Sequence, residues 1–344
     1  MIEVKNLTKR YGDKVAVDDV SFTIEDGKIY GFLGPNGAGK STTMNMITGC
    51  LCATSGSILI DGRNVVEDPI EAKRYVGYLP EIPPLYPDMT PYEYLTFVAE
   101  AKGLDAEQTY REVKEVMELT SLTDVKERLI CNLSKGYCQR VGIAQALLGN
   151  PSIIILDEPT VGLDPKQIIE IRSLIRELGE TRTVILSSHI LAEISAVCDH
   201  IMILSQGKLV ANATPDELER SMNAQSKLDF TAKCTAEDGI RVLETVDGVS
   251  EYTFEEVCDG TLFSLDCNNE GDLREAIFFA FADARIPLLS LASRHLSLED
   301  IFLKLTTPQV EEDEEILPEE EEPTEDFFDE NDEETTDEQE VDAE

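Results

Sequence analysis

The stretch that decides the fold is Gly34-Pro35-Asn36-Gly37-Ala38-Gly39-Lys40-Ser41-Thr42. It fits the pattern GxxxxGK[ST], and it lies between a predicted strand at Lys28–Leu33 and a helix that is predicted to begin near Lys40. Its glycines let backbone N–H groups turn inward around phosphate oxygens, and the helix N-terminus adds partial positive charge. We therefore predict that Lys40 reaches the β- and γ-phosphates of a nucleotide and that Ser41 ligates Mg²⁺. The alternative, an ordinary glycine turn with a surface lysine, is disfavoured by the strand–loop–helix context.

A second candidate element is the apolar run Ile153–Leu156, which is followed directly by Asp157 and Glu158. A buried strand would deliver Asp157 at its C-terminal end, where open α/β sheets place their ligands. We predict that Asp157 holds Mg²⁺, through water, and that Glu158 polarises the attacking water as a general base. An apolar run that ends in two acids is commonplace on its own. Together with the upstream phosphate loop, it predicts a Mg²⁺-binding and catalytic element.

The order of predicted elements indicates an α/β fold with a parallel sheet and flanking helices. After paired strands in Ile2–Ile24, strands are predicted at Gly56–Asp61 and Tyr75–Leu79, and Pro91–Leu119 has helical spacing. Strands and helices then alternate along the chain: Ile153–Leu156, Pro165–Leu178, Thr183–Ser187, Ile190–Val197 and Ile201–Leu204.

A smaller second unit is predicted after Met222. Its element order from Lys227 to Ala292 is β-α-β-β-α-β, which is typical of a ferredoxin-like α+β sandwich, and a short helix follows at Ser297–Leu305. We expect three segments: a nucleotide-binding domain at 1–222, an accessory α+β domain at 223–307 and a disordered acidic tail at 308–344.

Charge and composition limit the classes of function. The formal charge of the 344 residues is −40, and Glu311–Glu344 alone contains 21 Asp and Glu without a Lys or Arg. Because such a surface repels phosphate backbones, we expect no nucleic-acid partner. No stretch approaches the roughly 20 apolar residues needed to cross a bilayer, and the N-terminus lacks the layout of a signal peptide. We therefore expect a cytoplasmic protein whose eight cysteines are reduced.

The stretch Leu133-Ser134-Lys135-Gly136-Tyr137-Cys138-Gln139-Arg140 resembles the signature motif of ATP-binding-cassette (ABC) proteins, which commonly begins LSGGQ. Other landmarks of that family follow in order: Tyr11 as the adenine-stacking aromatic, Pro159–Asp164 as the D-loop and His189 as the switch histidine. The resemblance covers about Met1 to Met222. It implies a mixed-sheet core with a helical subdomain, and ATP and Mg²⁺ as cofactors.

The resemblance also implies a head-to-tail dimer with two ATP molecules at its interface. Each ATP would lie between one subunit's phosphate loop and the signature motif of a second cassette subunit, which we expect to be a copy of this chain. Ser134 and the Gly136 N–H would contact the γ-phosphate in trans, where the helix dipole favours negative charge. His189 would sense the γ-phosphate, and Asp164 would link the two sites.

Two departures from the family pattern bear on rate and coupling. Glu81 takes the place of the Q-loop glutamine; a carboxylate can ligate Mg²⁺ or orient water, but it cannot donate a hydrogen bond as an amide does. Lys135 and Tyr137 stand where glycine and glutamine are usual. Both departures resemble ATPases of the ABC-2 type, which are mostly exporters. The segment Pro83–Pro87 follows Glu81, where the family's permease-coupling surface begins.

The favoured function is therefore the ATP-hydrolysing subunit of an exporter, bound to the inner face of the cell membrane through an integral membrane permease on another chain. A soluble ABC ATPase that acts on a macromolecular complex is a second hypothesis, but the single phosphate loop, the absence of sustained heptads and the acidic charge disfavour it. A nucleotide-gated scaffold with weak turnover is a third. Glu158 and His189 argue against the scaffold, whereas Glu81 and Lys135 leave it open.

Overall fold

The main element of the fold is a mostly parallel sheet with helices on both faces. The structure, a computed structural model, describes residues 1–223, 227–246, 248–249, 251–266, 273–294 and 298–306. Within residues 1–223 the strands are β1 (Ile2–Tyr11), β2 (Lys14–Ile24), β3 (Ile29–Leu33), β4 (Ser55–Ile60), β5 (Arg63–Asn64), β6 (Val76–Leu79), β7 (Ile153–Leu156), β8 (Thr183–Ser188), β9 (His200–Ser205) and β10 (Lys208–Ala213). The helices are α1 (Lys40–Ile47), α2 (Pro69–Arg74), α3 (Pro91–Ala101), α4 (Ala106–Leu119), α5 (Lys135–Leu147), α6 (Pro165–Gly179), α7 (Leu191–Ser195) and α8 (Pro215–Asn223).

The larger sheet has the strand order β10-β9-β3-β8-β7-β6. Its members from β9 to β6 run parallel, whereas β10 pairs antiparallel with β9. All residues of β3, β7 and β8 are buried, as expected for central strands covered on both faces. In the register, Leu33 at the end of β3 pairs with Ser188, and Leu156 at the end of β7 pairs with Leu186. The loops that follow these strands therefore meet at one edge of the sheet, and the predicted parallel sheet is confirmed.

A second, antiparallel sheet has the order β2-β1-β4-β5. Its buried residues, among them Val4, Phe22 and Ile58, form one hydrophobic cluster with α1 and with residues of the parallel strands such as Phe32 and Ile155. The opposite face of the parallel sheet packs against the helices from α3 to α8 in another cluster. The two clusters together give the mixed-sheet core that the family resemblance implied.

The helical subdomain differs from the prediction in one segment, Pro91–Leu119. The helical spacing over Pro91–Leu119 belongs to two helices, α3 and α4, and not to one continuous segment. The break has a local cause, because Asp105 begins α4 with a capping box in which its carboxylate accepts hydrogen bonds from Glu107 N and Gln108 N. Thr90 and Glu93 form the same motif at the start of α3. The short elements α2, β5 and β10 were not predicted.

The C-terminal elements are β11 (Lys227–Ala232), α9 (Ala236–Leu243), β12 (Glu251–Val257), β13 (Gly260–Asp266), α10 (Arg274–Asp283), β14 (Leu288–Arg294) and α11 (Leu298–Thr306). They follow the predicted order and build an antiparallel sheet, β12-β13-β11-β14, with its own buried cluster that includes Phe230, Phe263 and Phe281. Helix α11 packs against α7, α8 and β9.

The predicted segment boundaries stay predictions. Met1–Thr307 forms one compact unit, and the predicted tail at 308–344 lies outside the described residues. Among the helices in the described part of the chain, none is long and apolar enough to cross a membrane.

Candidate nucleotide-binding site

The phosphate loop connects β3 to α1 and is held in a conformation that requires glycine. Gly39 precedes the helix with φ of 103°, and a Cβ there would lie 2.6 Å from the carbonyl oxygen of Ala16. Lys40 is buried, and its Nζ donates to the carbonyl oxygens of Gly34 at 2.8 Å and Pro35 at 3.3 Å. The lysine is thus fixed within the concave side of its own loop, where an incoming phosphate oxygen could replace these carbonyl contacts.

Asp157 follows β7 and faces the start of α1. It is buried, and its Oδ1 accepts hydrogen bonds from Ser41 Oγ at 3.2 Å and from Ser187 Oγ at 2.5 Å. Ser187 lies on β8, the strand between β3 and β7. The order of the strands therefore brings together two predicted Mg²⁺ ligands that are 116 residues apart in the sequence.

Glu158 joins the phosphate loop to the switch histidine. Its Oε1 lies 3.5 Å from Lys40 Nζ, and its Oε2 lies 3.0 Å from Nδ1 of His189. Its φ is +49°, an uncommon value for a residue other than glycine, and its backbone N–H donates to Ser187 Oγ at 2.9 Å. The carboxylate is buried, whereas His189 is partly exposed. A water in the adjoining cleft could therefore meet both the general base and the histidine that we predicted.

A cleft of about 530 Å³ lies over these groups. Its lining includes Tyr11, Asn36, Gly37, Gly39, Lys40, Ser41, Thr42, Glu81, Glu158 and His189. The remaining phosphate-loop residues support it from behind: Gly34 and Pro35 through their carbonyl groups, and Ala38 as a buried residue. Tyr11 is half exposed, so one face of its ring is accessible for stacking, and Lys9 Nζ lies 5.2 Å from the ring centroid.

The predicted trans-acting residues do not line this cleft. Ser134 caps the N-terminus of α5, where Tyr137 N donates to its hydroxyl, and Asp164 caps α6, where Gln167 N donates to its carboxylate. Gly136 and Asp164 line a different concave surface. Gly136 is buried against α6, since a Cβ there would lie 2.6 Å from the side chain of Gln167. Within one subunit, therefore, these residues do not complete the nucleotide cleft.

The sequence analysis missed three buried residues that support the site, namely Ser187, Ser188 and Glu193. Glu193 on α7 accepts hydrogen bonds from Thr160 Oγ1 at 2.6 Å and Ser188 Oγ at 3.0 Å, which ties the D-loop to the segment that carries His189. The one available signal was the pair of serines that ends the apolar strand β8.

The groups around Ser41 fit a magnesium ion. Its Oγ and the Oδ1 of Asp157 are hard oxygen donors 3.2 Å apart, close to the roughly 3 Å between neighbouring ligands of octahedral Mg²⁺. Glu81 adds an exposed carboxylate on the lining of the same cleft. Mg²⁺ in nucleotide sites usually takes one or two protein ligands together with phosphate oxygens, which is the donor set available here.

Known proteins that this chain resembles are ATP-binding proteins of ABC transporters. The family model described as ABC transporter matches residues 17–161. The linearmycin resistance ATP-binding protein LnrL of Bacillus subtilis is 32% identical over 307 residues, covering 89% of this chain and 98% of the relative. The bacitracin transport ATP-binding protein BcrA of Bacillus licheniformis is 35% identical over 308 residues, with coverages of 89% and 97%.

Solved structures show the same fold. An ATP-binding subunit of an ABC transporter matches with a TM-score of 0.59 and 34% identity, covering 64% of this chain and 92% of that one. A dimeric, post-hydrolysis state of the ATP-binding cassette MJ0796 bound to ADP and Pi matches with a TM-score of 0.57 and 28% identity, covering 62% and 98%.

Proposed function

This chain belongs to the ABC transporter family of ATP-binding proteins. From that premise we propose how its residues bind and hydrolyse ATP and which proteins it binds. It is the ATP-binding and ATP-hydrolysing subunit of an ABC transporter. The observation that carries the proposed mechanism is the contact of the buried Glu158 carboxylate with both Lys40 and the partly exposed His189, beside Asp157.

Binding of ATP would begin with an exchange of partners at Lys40. Its ammonium leaves the carbonyl oxygens of its own loop for the β- and γ-phosphates, which offer stronger, charge-assisted hydrogen bonds. Tyr11 stacks on the adenine, and the N–H groups from Gly37 to Thr42 cradle the phosphates. Ser41 and, through water, Asp157 would hold Mg²⁺ with Glu81 in support, and the ion would neutralise charge on the β- and γ-phosphate oxygens.

Hydrolysis would use Glu158 as the general base. As Lys40 turns towards the phosphates, the 3.5 Å ion pair between the two loosens and leaves the carboxylate beside the cleft to accept a proton from water. His189 stays within hydrogen-bond distance of Glu158 and is exposed enough to contact the γ-phosphate. The buried support from Ser187 and Glu193 fixes both residues before the reaction, so little reorganisation is needed.

We propose a head-to-tail dimer because the nucleotide cleft of one subunit lacks its own signature motif. Ser134 and Gly136 lie at the N-terminus of a 13-residue helix, where the helix dipole would favour an oncoming γ-phosphate bound to a second copy. Asp164 lies beside Gly136 on the same surface and would contact the partner's site. Dimeric cassettes occur among the similar structures.

The partner that we propose is an integral membrane permease on another chain, which would hold this subunit at the inner face of the cell membrane. Its docking surface would include Tyr86 and Phe97, whose exposed rings lie 5.7 Å apart close to the predicted Q-loop, and Ile82, which is 82% exposed. Relatives named for linearmycin resistance, bacitracin transport and Nod factor export favour an exporter.

The test of this mechanism is Glu158→Gln in the full chain. The variant is expected to bind ATP, to release no phosphate and to accumulate as an ATP-dependent dimer in sedimentation experiments. Glu180→Gln, at the exposed C-terminal end of α6, is the matched control and should hydrolyse ATP normally. Undiminished hydrolysis by Glu158→Gln would refute the assignment of the base.

The proposed partner is tested separately. The tagged protein, recovered from membranes in mild detergent, is expected to co-purify with a multi-span protein that raises its ATPase activity. Recovery without such a protein would contradict the transporter assignment.

A further inference from the structure

The loop that joins α5 to β7 is held by two oppositely charged side chains from other helices. Lys102, which ends α3, donates from Nζ to the carbonyl oxygens of Leu148 at 2.6 Å and Gln145 at 3.2 Å. Glu112 on α4 accepts a hydrogen bond from Gly149 N at 2.8 Å. We call these two residues the loop clamp.

The clamp acts on backbone groups that the helix itself cannot satisfy. The last carbonyl groups of α5 have no intrahelical partner, and a cation at a helix C-terminus interacts favourably with the helix dipole. Gly149 and Asn150 follow with φ of +81° and +47°, so the chain turns sharply there. The Asn150 side chain accepts a further hydrogen bond from Arg182 at 2.9 Å. The loop is therefore fastened from three different elements.

The clamped loop lies between two parts of the ATP machinery. Ser134 caps one end of α5, and the loop leaves its other end; β7 then leads directly to Asp157 and Glu158. A helix of 13 residues is about 20 Å long, so a tilt of about 3° about the clamped end would move Ser134 by about 1 Å. A displacement of that size at a reacting group can lower activity by about a hundredfold.

From this geometry we infer that Lys102 and Glu112 are positioning residues that set the direction of the signature helix and thereby the contact of Ser134 with ATP bound to the second subunit. The inference rests on the proposed head-to-tail dimer. The inference connects the helices α3 and α4 to the contact between Ser134 and the ATP of the second subunit. Helix α3 also carries the exposed Phe97. The clamp is not part of the cleft that binds ATP in cis.

Burial of the Lys102 ammonium gives the clamp a pH dependence. Lys102 is an exposed residue, but its ammonium points into the protein, where burial lowers its pKa to about 8 and Glu112 opposes the shift. At neutral pH the group is therefore mainly protonated, and at pH 9 mainly neutral. The other titratable residues on the lining of the adjoining cavity, of about 750 Å³, are Lys73 and Arg74 on α2, Tyr78 on β6 and Cys50 after α1.

The test compares dimer formation with nucleotide binding in the Glu158→Gln background. The monomer–dimer Kd at saturating Mg²⁺ and ATP is measured by sedimentation, and monomer affinity is measured with a fluorescent methylanthraniloyl-ATP. Lys102→Met should raise the dimer Kd at least about tenfold, or about 1.4 kcal/mol, and leave the monomer's nucleotide affinity within twofold. Glu112→Leu should act in the same direction.

Two further variants separate positioning from stability. Lys114→Met removes an exposed lysine from the same helix pair, where it only pairs with Glu118 at 3.9 Å, and should leave the dimer Kd unchanged. Raising the pH from 7 to 9 should weaken the dimer of the protein that has Lys102. The Lys102→Arg variant keeps its positive charge over this range, so its dimer Kd should stay unchanged.

Each outcome decides between the proposals. If Glu158→Gln alone forms no ATP-dependent dimer, the proposed dimer mechanism fails. If it dimerises and Lys102→Met behaves like Lys114→Met, the dimer stands and the clamp inference is overturned. If Lys102→Met does not fold, the comparison between pH 7 and pH 9 decides. An equal loss of dimer at pH 9 for the protein with Lys102 and for the Lys102→Arg variant overturns the inference.

Discussion

Ser187→Ala tests the idea that a residue without contact to substrate holds the catalytic acids in place. Ser187 is completely buried on β8 and connects both acids, because it donates to the Asp157 carboxylate and accepts from the Glu158 N–H. Alanine would fill the strand position without strain but would leave both partners without their bond. The substitution therefore isolates the hydroxyl group.

The size of the effect follows from those two contacts. A hydrogen bond to a charged group contributes about 1.5–3 kcal/mol, and a buried N–H left without a partner costs about 1–3 kcal/mol. Since Ser41 still donates to Asp157, we expect a net loss of about 3 kcal/mol in the free energy of unfolding. The Mg²⁺ concentration for half-maximal ATPase should rise about tenfold, as is usual when a residue that orients a metal ligand is removed.

Urea unfolding measures the first effect and Mg²⁺ titration of phosphate release the second. Ser173→Ala is the control, since this exposed serine on α6 bonds only to the carbonyl of Ile169 in its own helix, and it should change stability by less than about 0.5 kcal/mol. If Ser187→Ala matched that control in both stability and Mg²⁺ requirement, the hydroxyl would not position Asp157, and the reasoning would be refuted.

Three other changes have definite expected results. Tyr11→Ala should weaken ATP binding by about 1–3 kcal/mol in a fluorescence titration, whereas replacement of Tyr110, which is also exposed but lies on α4, should not; equal effects of Tyr11→Ala and Tyr110→Ala would exclude stacking. Glu193→Ala strands two buried hydroxyl donors and should reduce kcat and stability, with Glu193→Gln closer to wild type; the reverse ranking would contradict the assigned hydrogen bonds. Gly77→Ala would put a Cβ 2.0 Å from the carbonyl oxygen of Ala146 and should destabilise the protein by more than about 2 kcal/mol in urea; an unchanged midpoint would show that α5 can shift.

Some features of the site were already determined by short stretches of sequence. The phosphate loop is one contiguous stretch. Its glycines and Lys40 can bind phosphate whenever the stretch joins a strand to a helix. Asp157 and Glu158 follow an apolar run whose burial in a parallel sheet could be inferred from its composition. The break between α3 and α4 is also determined by nearby residues, the capping pair Asp105 and Gln108. The sequence analysis missed it because helical periodicity continues across the break.

Only the tertiary structure decided which distant residues meet. Ser187 and His189 reach the two acids because β8 lies between β3 and β7, and this order arises from packing and hydrogen bonding between strands, which no local pattern encodes. Likewise, Lys102 and Glu112 look like ordinary surface charges in the sequence. They acquire a role because α3 and α4 pack beside the end of α5, where backbone groups without helical partners need hydrogen bonds.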